Sequence, residues 1–249
     1  MKTFEDYFSK QAGEYVRYRP RYPSELFDYL ASITPARQLA WDCGTGNGQA
    51  ALELVKHFKR VVATDASADQ LARATPHERI DYRVERAEEV SLKPGSVDLI
   101  TVAVAVHWFN FETFYQTVRR VGKEKSIVAV WTYQLPVIDP SIDKVLFRYY
   151  KEVLSGYWPE RFHYVDERYH TLPFPFEELD PPRFEMKADW DLKQLVGFLD
   201  SWSASRRYQD ERGEHPVKIV WQELSRVWGN PEGRRKIRWP LHLRIGHVR

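Results

Sequence analysis

The stretch Leu39-Ala40-Trp41-Asp42-Cys43-Gly44-Thr45-Gly46-Asn47-Gly48, with a helical run over residues 49–59 behind it, restricts this chain more than any other part of it. An apolar run ending in an acid, then three alternating glycines and a helix start, reads as a buried strand, a tight turn and a helix N-terminus. A residue without Cβ lets the backbone bend sharply and lie against a ligand. The helix behind the turn aims N–H groups that lack intrahelical acceptors at the same place. The acid at Asp42 suits a cationic or hydroxyl-rich ligand better than a pyrophosphate. The dinucleotide fingerprint Gly-x-Gly-x-x-Gly would put its third glycine at 49, where this chain has Gln49.

A second signal lies in register with the first. Arg60-Val61-Val62-Ala63-Thr64-Asp65 runs apolar into an acid about 20 residues past the first glycine, where a ribose-binding carboxylate belongs in such folds. With the acid at 42 and the spacing Gly44-x-Gly46-x-Gly48, this resembles motif I of the class I S-adenosylmethionine-dependent methyltransferases. The resemblance implies S-adenosyl-L-methionine as cofactor. It implies that Asp42, Gly44, Thr45, Gly46 and Gly48 hold the methionine moiety, and that Asp65 with Ala66 takes the ribose. Ala87 and Glu88 would hold the adenine, and Val104 would lie under the sulfonium edge. Gln70 either caps a short helix or faces the adenosine, and the spacing Ser67-Ala68-Asp69-Gln70 favours the cap.

Elsewhere strands and helices alternate. Residues 38–42, 60–64, 79–84, 96–102 and 126–131 read as five strands, the fourth without period-2 polarity, as for a strand covered on both faces. Ser24 should cap a helix over 25–31 with Leu26, Phe27 and Leu30 inward. Asn110 should cap the next helix, with Phe114, Tyr115, Val118 and Val121 inward. A sixth strand is expected at 183–190, helices at 192–203 and 217–228, and a closing strand at 236–244, interrupted by Pro240. The whole is an α/β doubly wound, seven-stranded, mostly parallel, Rossmann-like sheet with an antiparallel last strand.

Residues 1–249 are expected to form one methyltransferase domain, with an N-terminal flap and helix over 1–35. Between 132 and 182, prolines at 136, 140, 159, 173, 175, 181 and 182 break the alternation and aromatic residues crowd it. So long a loop should contain a helix, placed at 141–153, and is expected as an inserted lid or substrate wall.

Composition excludes more than it identifies. Hydrophobic residues make up 43% of 249, enough for a core and too many for a disordered chain. No charge-free run is longer than that at 99–111, which is too short to span a bilayer. The N-terminus lacks the basic-then-apolar order of a signal peptide. Cys43 is the only cysteine, which argues against disulfides and a cysteine metal cluster and for a cytoplasmic setting; no metal is expected. The net charge is +2, but residues 206–249 carry 11 Lys/Arg against 5 Asp/Glu, either a solvated face or an attraction for anions.

The strand ending near 102 delivers Ala103-Val104-Ala105-Val106-His107-Trp108-Phe109 to the edge where open α/β sheets bind ligands. His107 is the candidate base or substrate partner, with packing beside Trp108 as the alternative. Trp108, Tyr15 and Arg19 are candidate substrate residues, the latter two from the basic-aromatic segment at 15–23. Asp42–Gly48, Ala63-Thr64-Asp65, His107-Trp108-Phe109 and Arg238-Trp239-Pro240-Leu241 together resemble the trans-aconitate methyltransferase-like group. That resemblance implies methyl transfer to a small molecule, at a carboxylate or hydroxyl oxygen. The alternatives are an RNA or protein methyltransferase and a non-catalytic cofactor-binding regulator. An amine-directed nucleic-acid enzyme would carry an Asn/Asp-Pro-Pro-aromatic motif where this chain has Ala105-Val106-His107-Trp108.

Overall fold

The apolar runs of the first half become a parallel sheet. The computed structural model describes residues 19–248. In chain order, α1 (Ser24–Ile33), β1 (Leu39–Cys43), α2 (Gln49–Leu54), β2 (Arg60–Asp65), α3 (Ala68–Leu71) and β3 (Ile80–Val84) come first. They are followed by β4 (Val97–Ala103), α4 (Phe111–Val121) and β5 (Gly122–Tyr133). Next come α5 (Pro140–Arg148), α6 (His163–Asp166), β6 (Glu177–Leu179) and β7 (Glu185–Trp190). The chain closes with α7 (Leu192–Asp200), α8 (Ser203–Arg212), α9 (Val217–Trp228) and β8 (Arg235–His247).

The strand order is β3-β2-β1-β4-β5-β8-β6, with β7 paired to β8 off that path. Strands β1 to β5 are parallel, and β8 runs antiparallel to β5 and β6. Eight strands replace the seven expected, because Glu177–Leu179 is too short to show a period. Ala40 to Cys43 and Val97 to Val102 are buried throughout, as layers on both faces of a parallel sheet require. The order turns back between β1 and β4, and open α/β sheets place their ligand crevice at such a reversal.

Two compact units divide the chain. One holds Tyr22–Tyr133, His163–Phe184 and the chain from Pro240, and so the strands β1 to β6. The other holds Gln134–Phe162 and Glu185–Trp239 with residues 19–21. The stretch 132–182 is therefore shared between them. Its helix starts at Pro140, with the Asp139 carboxylate accepting from Ser141 N at 3.0 Å and Ile142 N at 3.1 Å, and continues through a π-helical turn at Tyr149–Val153. Within that second unit Trp190 and Phe198 pack on Trp239, with ring centroids 4.9 and 5.5 Å away. The expected helix at 192–203 stops at Asp200, and α8 begins separately at Ser203. At α1 the cap position is taken by Pro23, and Ser24 is already helical, with its hydroxyl turned to Glu25.

The amino edge of the sheet is tied by one buried acid. Asp98, 2% exposed, accepts from Gln38 N and Leu39 N, each at 2.9 Å, and meets Lys123 Nζ at 2.6 Å. Its removal strands two backbone donors and a lysine, the situation in which a broken buried pair costs most. Asp98→Ala should therefore lose about 3 kcal/mol of stability, read as a lowered midpoint in urea; an unchanged midpoint would show that water replaces the carboxylate there.

Candidate active site

At the opposite, carboxyl edge, β1 runs into the glycine turn. Gly44, Gly46 and Gly48 have φ of +68°, +57° and +84°, a region that disfavours any residue with a Cβ. A Cβ on Gly44 would lie 2.6 Å from Ala105 Cβ, and one on Gly48 would lie 2.5 Å from Tyr82 Oη. Those two glycines admit protein neighbours. At Gly46 the nearest atom to such a Cβ is Gln70 Oε1 at 3.9 Å. Among the described residues the turn is thus tightly packed at its two ends and only loosely contacted at its middle.

Asp65 holds that middle in place. Its carboxylate accepts from Gly46 N at 2.8 Å and from Ser67 N at 2.9 Å, and Thr45 N donates to Thr64 O at 2.9 Å. Ala66 beside it is exposed, and Val84, opposite Asp65 in the β2–β3 register, is 58% exposed. Sequence patterning does not single out Val84, since only strand pairing puts it next to Asp65. Ser67 Oγ caps α3 by accepting from Gln70 N at 3.3 Å, and the buried Gln70 side chain lies toward Gly46.

Asp42 faces inward. Its carboxylate has no exposure and accepts from Thr45 Oγ1 at 2.5 Å and Thr101 Oγ1 at 2.9 Å. The acid therefore ties the turn to β4, where the sequence argument set it against a methionine moiety. Burial pushes its pKa up to about 6, against the pull of the threonine hydroxyls. Glu88 is also engaged, accepting from Asn110 N at 2.9 Å ahead of α4, and Ala87 is buried. Asn110 itself caps α4, accepting from Thr113 N at 3.1 Å.

Beyond β4, Val104 has φ +54°, a strained value for a β-branched residue, and its N–H donates to Trp131 O at 2.9 Å. A 3-10 turn at Val106–Trp108 then places His107, 1% exposed, with Nδ1 2.8 Å from Tyr169 Oη. Trp108 is half-buried, its ring 4.8 Å from the imidazole. Tyr169 and its neighbour Arg168 have φ of +62° and +55°, and the Tyr169 carbonyl accepts from the Arg244 guanidinium at 3.4 Å. His242 stands opposite Thr132 at the end of β5. Burial and the charges of Arg168 and His170 hold its pKa down to about 4. Tyr15 lies outside the described residues; Arg19 belongs to the other unit, over the Phe198 ring at 5.4 Å. Among the described residues no helix is long and apolar enough to cross a membrane.

The Asp42 geometry sets a pH dependence. Its folded pKa exceeds the unfolded value of 3.8, so the folded state binds the proton more tightly. Its cost to stability is absent below about pH 4, grows up to about pH 6 and is complete above that, reaching about 3 kcal/mol. Asp42→Asn keeps an acceptor for the threonines and should be more stable than the parent at pH 7 but not at pH 4. Urea midpoints that diverge equally at both values would assign the pH dependence to other groups.

Residues 41–130 match the family model described as a methyltransferase domain. A protein of Dictyostelium discoideum assigned to the methyltransferases is 30% identical over 247 residues, covering 96% of this chain and 94% of that protein. A Saccharomyces cerevisiae protein assigned to the S-adenosylmethionine-dependent methyltransferases is 25% identical, over 87% of this chain and 88% of its own length. A solved structure from Anaeromyxobacter dehalogenans, assigned as a type II methyltransferase, is 40% identical with a TM-score of 0.85, covering 92% of this chain and 98% of that one. A glycine turn closed by two strand-end acids, on a sheet with this strand order and with relatives matched over nearly their full length, leads to one conclusion: the chain belongs to the class I S-adenosylmethionine-dependent methyltransferases.

Proposed function

We propose that this enzyme methylates an oxygen, carboxylate or hydroxyl, of a small-molecule acceptor, with the donor held between the glycine turn and the ends of β2 and β4. The observation that carries the donor site is the asymmetry of the turn: Cβ atoms at 44 and 48 would strike the protein, whereas among the described residues one at 46 would meet only Gln70 Oε1, at an ordinary contact distance of 3.9 Å. Gly44 to Gly48 would offer backbone to the methionine part. Asp65 would take the ribose hydroxyls, since it is part-buried at the end of β2 and its carboxylate lies against the middle of the turn through Gly46 N. Ala66 and Val84 would supply apolar surface to the adenine, with Ala87 and Glu88 at its edge. Asp42 would act through the turn it braces. Once bound, S-adenosylmethionine supplies a methyl group on a sulfonium, so the protein's task is mainly alignment and exclusion of water.

Val104 and Trp108 would face the acceptor side. Support for a carboxylate acceptor comes from Arg168, whose charge, with burial and the nearby His170, holds the pKa of His242 down to about 4. A positive field of this kind attracts small anions. Nucleic acid, for which the basic run at 206–249 is the sole argument, is the competing acceptor.

Gly46→Ala should cost about 1 kcal/mol of stability from its left-handed backbone and lower S-adenosylmethionine affinity by about tenfold or more in calorimetry. Full affinity in that variant would move the donor site elsewhere. A labelled-methyl transfer screen over small carboxylic acids, phenols, amines and RNA should give product with the acids. Turnover with RNA or amines alone would replace the oxygen-acceptor reading.

A further inference from the structure

We infer that Tyr169 is a positioning residue that fixes the tautomer of His107: the phenol donates to Nδ1, the ring proton resides on Nε2, and His107 serves as a hydrogen-bond donor with no lone pair left to act as a base. The inference deepens the proposed methyl transfer, on which its chemical consequence rests. The tautomer itself is a property of the chain alone.

The 2.8 Å contact between Nδ1 and Oη admits two arrangements. An imidazole nitrogen has a conjugate acid near pH 6.5, whereas a phenol oxygen is a far weaker acceptor, so O–H to N is the favoured direction. Burial pushes the Tyr169 hydroxyl well above its usual range, which keeps its proton available to give. Reversing the bond would leave that proton to Thr132 beside the phenol, a hydroxyl that accepts less well than an imidazole lone pair. The chain also holds Tyr169 firmly in place. Its ring is fully buried, its N–H donates to Tyr164 O at 2.8 Å, and it follows Arg168 through two successive left-handed residues. Backbone of that kind persists where the surroundings over-determine it, frequently at functional sites.

A consequence for the acceptor follows. A hydroxyl must give up a proton when it is alkylated, and needs a base to take it. A carboxylate already holds the electron pair that alkylation uses and loses no proton. With Nδ1 accepting and Nε2 protonated, His107 can orient an acceptor oxygen but cannot deprotonate it. The acceptor class that fits is therefore a carboxylate, leaving as a methyl ester.

The test is a long-range proton–nitrogen spectrum of the full chain labelled in histidine, with His107 assigned by its disappearance in His107→Gln. The expected result is one pyridine-type nitrogen at Nδ1 and one pyrrole-type at Nε2 in the parent, and loss of that single pattern in Tyr169→Phe, which keeps the ring volume. A pyrrole-type Nδ1, or two pyrrole-type nitrogens, in the parent would overturn the inference, as would an unchanged His107 pattern in Tyr169→Phe. In turnover, Tyr169→Phe should lower kcat while leaving S-adenosylmethionine affinity as in the parent; a fall confined to affinity would make Tyr169 a structural residue of the donor site. If the spectrum is as stated but no carboxylic acid is methylated, the acceptor reading fails and the tautomer stands.

Discussion

The carboxylate of Asp42, closed off from solvent between two threonine hydroxyls, is the contact on which the ligand edge depends. One hydroxyl belongs to the glycine turn and the other to the neighbouring strand β4, so a single acid joins β1, the turn and β4. An ion this deep is costly to keep charged, and its raised pKa expresses that cost. Its gain is geometric. Three glycines in left-handed backbone have high conformational freedom when unfolded, and something has to fix them when folded. Asp42 does so from beneath and Asp65 from the side, through Gly46 N.

The two acids therefore have different duties although both end a strand. Asp42 is fully spent on the protein. Asp65 is only part-buried, and its carboxylate accepts from Gly46 N and Ser67 N at the rim of the turn. The same division separates the glycines. Ala105 and Tyr82 fill the spaces that Cβ atoms on Gly44 and Gly48 would need, so those positions concern close packing. Among the described residues nothing fills that space at Gly46, whose nearest such contact is Gln70 Oε1 at 3.9 Å.

Much of this edge was readable from the chain because its parts are local. The alternation of apolar strands with helices, the Gly-x-Gly-x-Gly turn and the acid 19 residues beyond Gly46 all lie within a segment whose register is set by short connections. The Ser67 and Asn110 caps followed from spacing alone. Other features were not readable. The inward turn of Asp42 depends on Thr101, 59 residues away, and a lone threonine in an apolar strand carries no sign of its partner. Val84 looks like any strand residue until β3 is placed against β2. The short strand β6 has three residues, fewer than a period-2 pattern needs. The long stretch after β5 showed its helix, whereas its sharing between the two compact units is set by contacts that its prolines and aromatics do not encode.

His107 shows how the same locality shapes the chemistry. Its placement was foreseeable from the end of β4, whereas its protonation state belongs to Tyr169, 62 residues later. The residues proposed for the donor all fall between 42 and 88, on strand ends and the turns that follow them. Those on the acceptor side come from a 3-10 turn, from the strained segment around Arg168 and Tyr169, and from His242 on the antiparallel strand. A donor site common to many acceptors needs a fixed frame. An acceptor site has to discriminate, and irregular backbone supplies side-chain directions that a regular strand cannot. Of the four described non-glycine residues with positive φ, Val104, Arg168 and Tyr169 lie beside His107 or the end of β5, whereas Lys125 lies near the start of that strand. Irregular backbone beside one buried imidazole is the feature on which the proposed acceptor side rests, at a distance along the chain that no local motif could reveal.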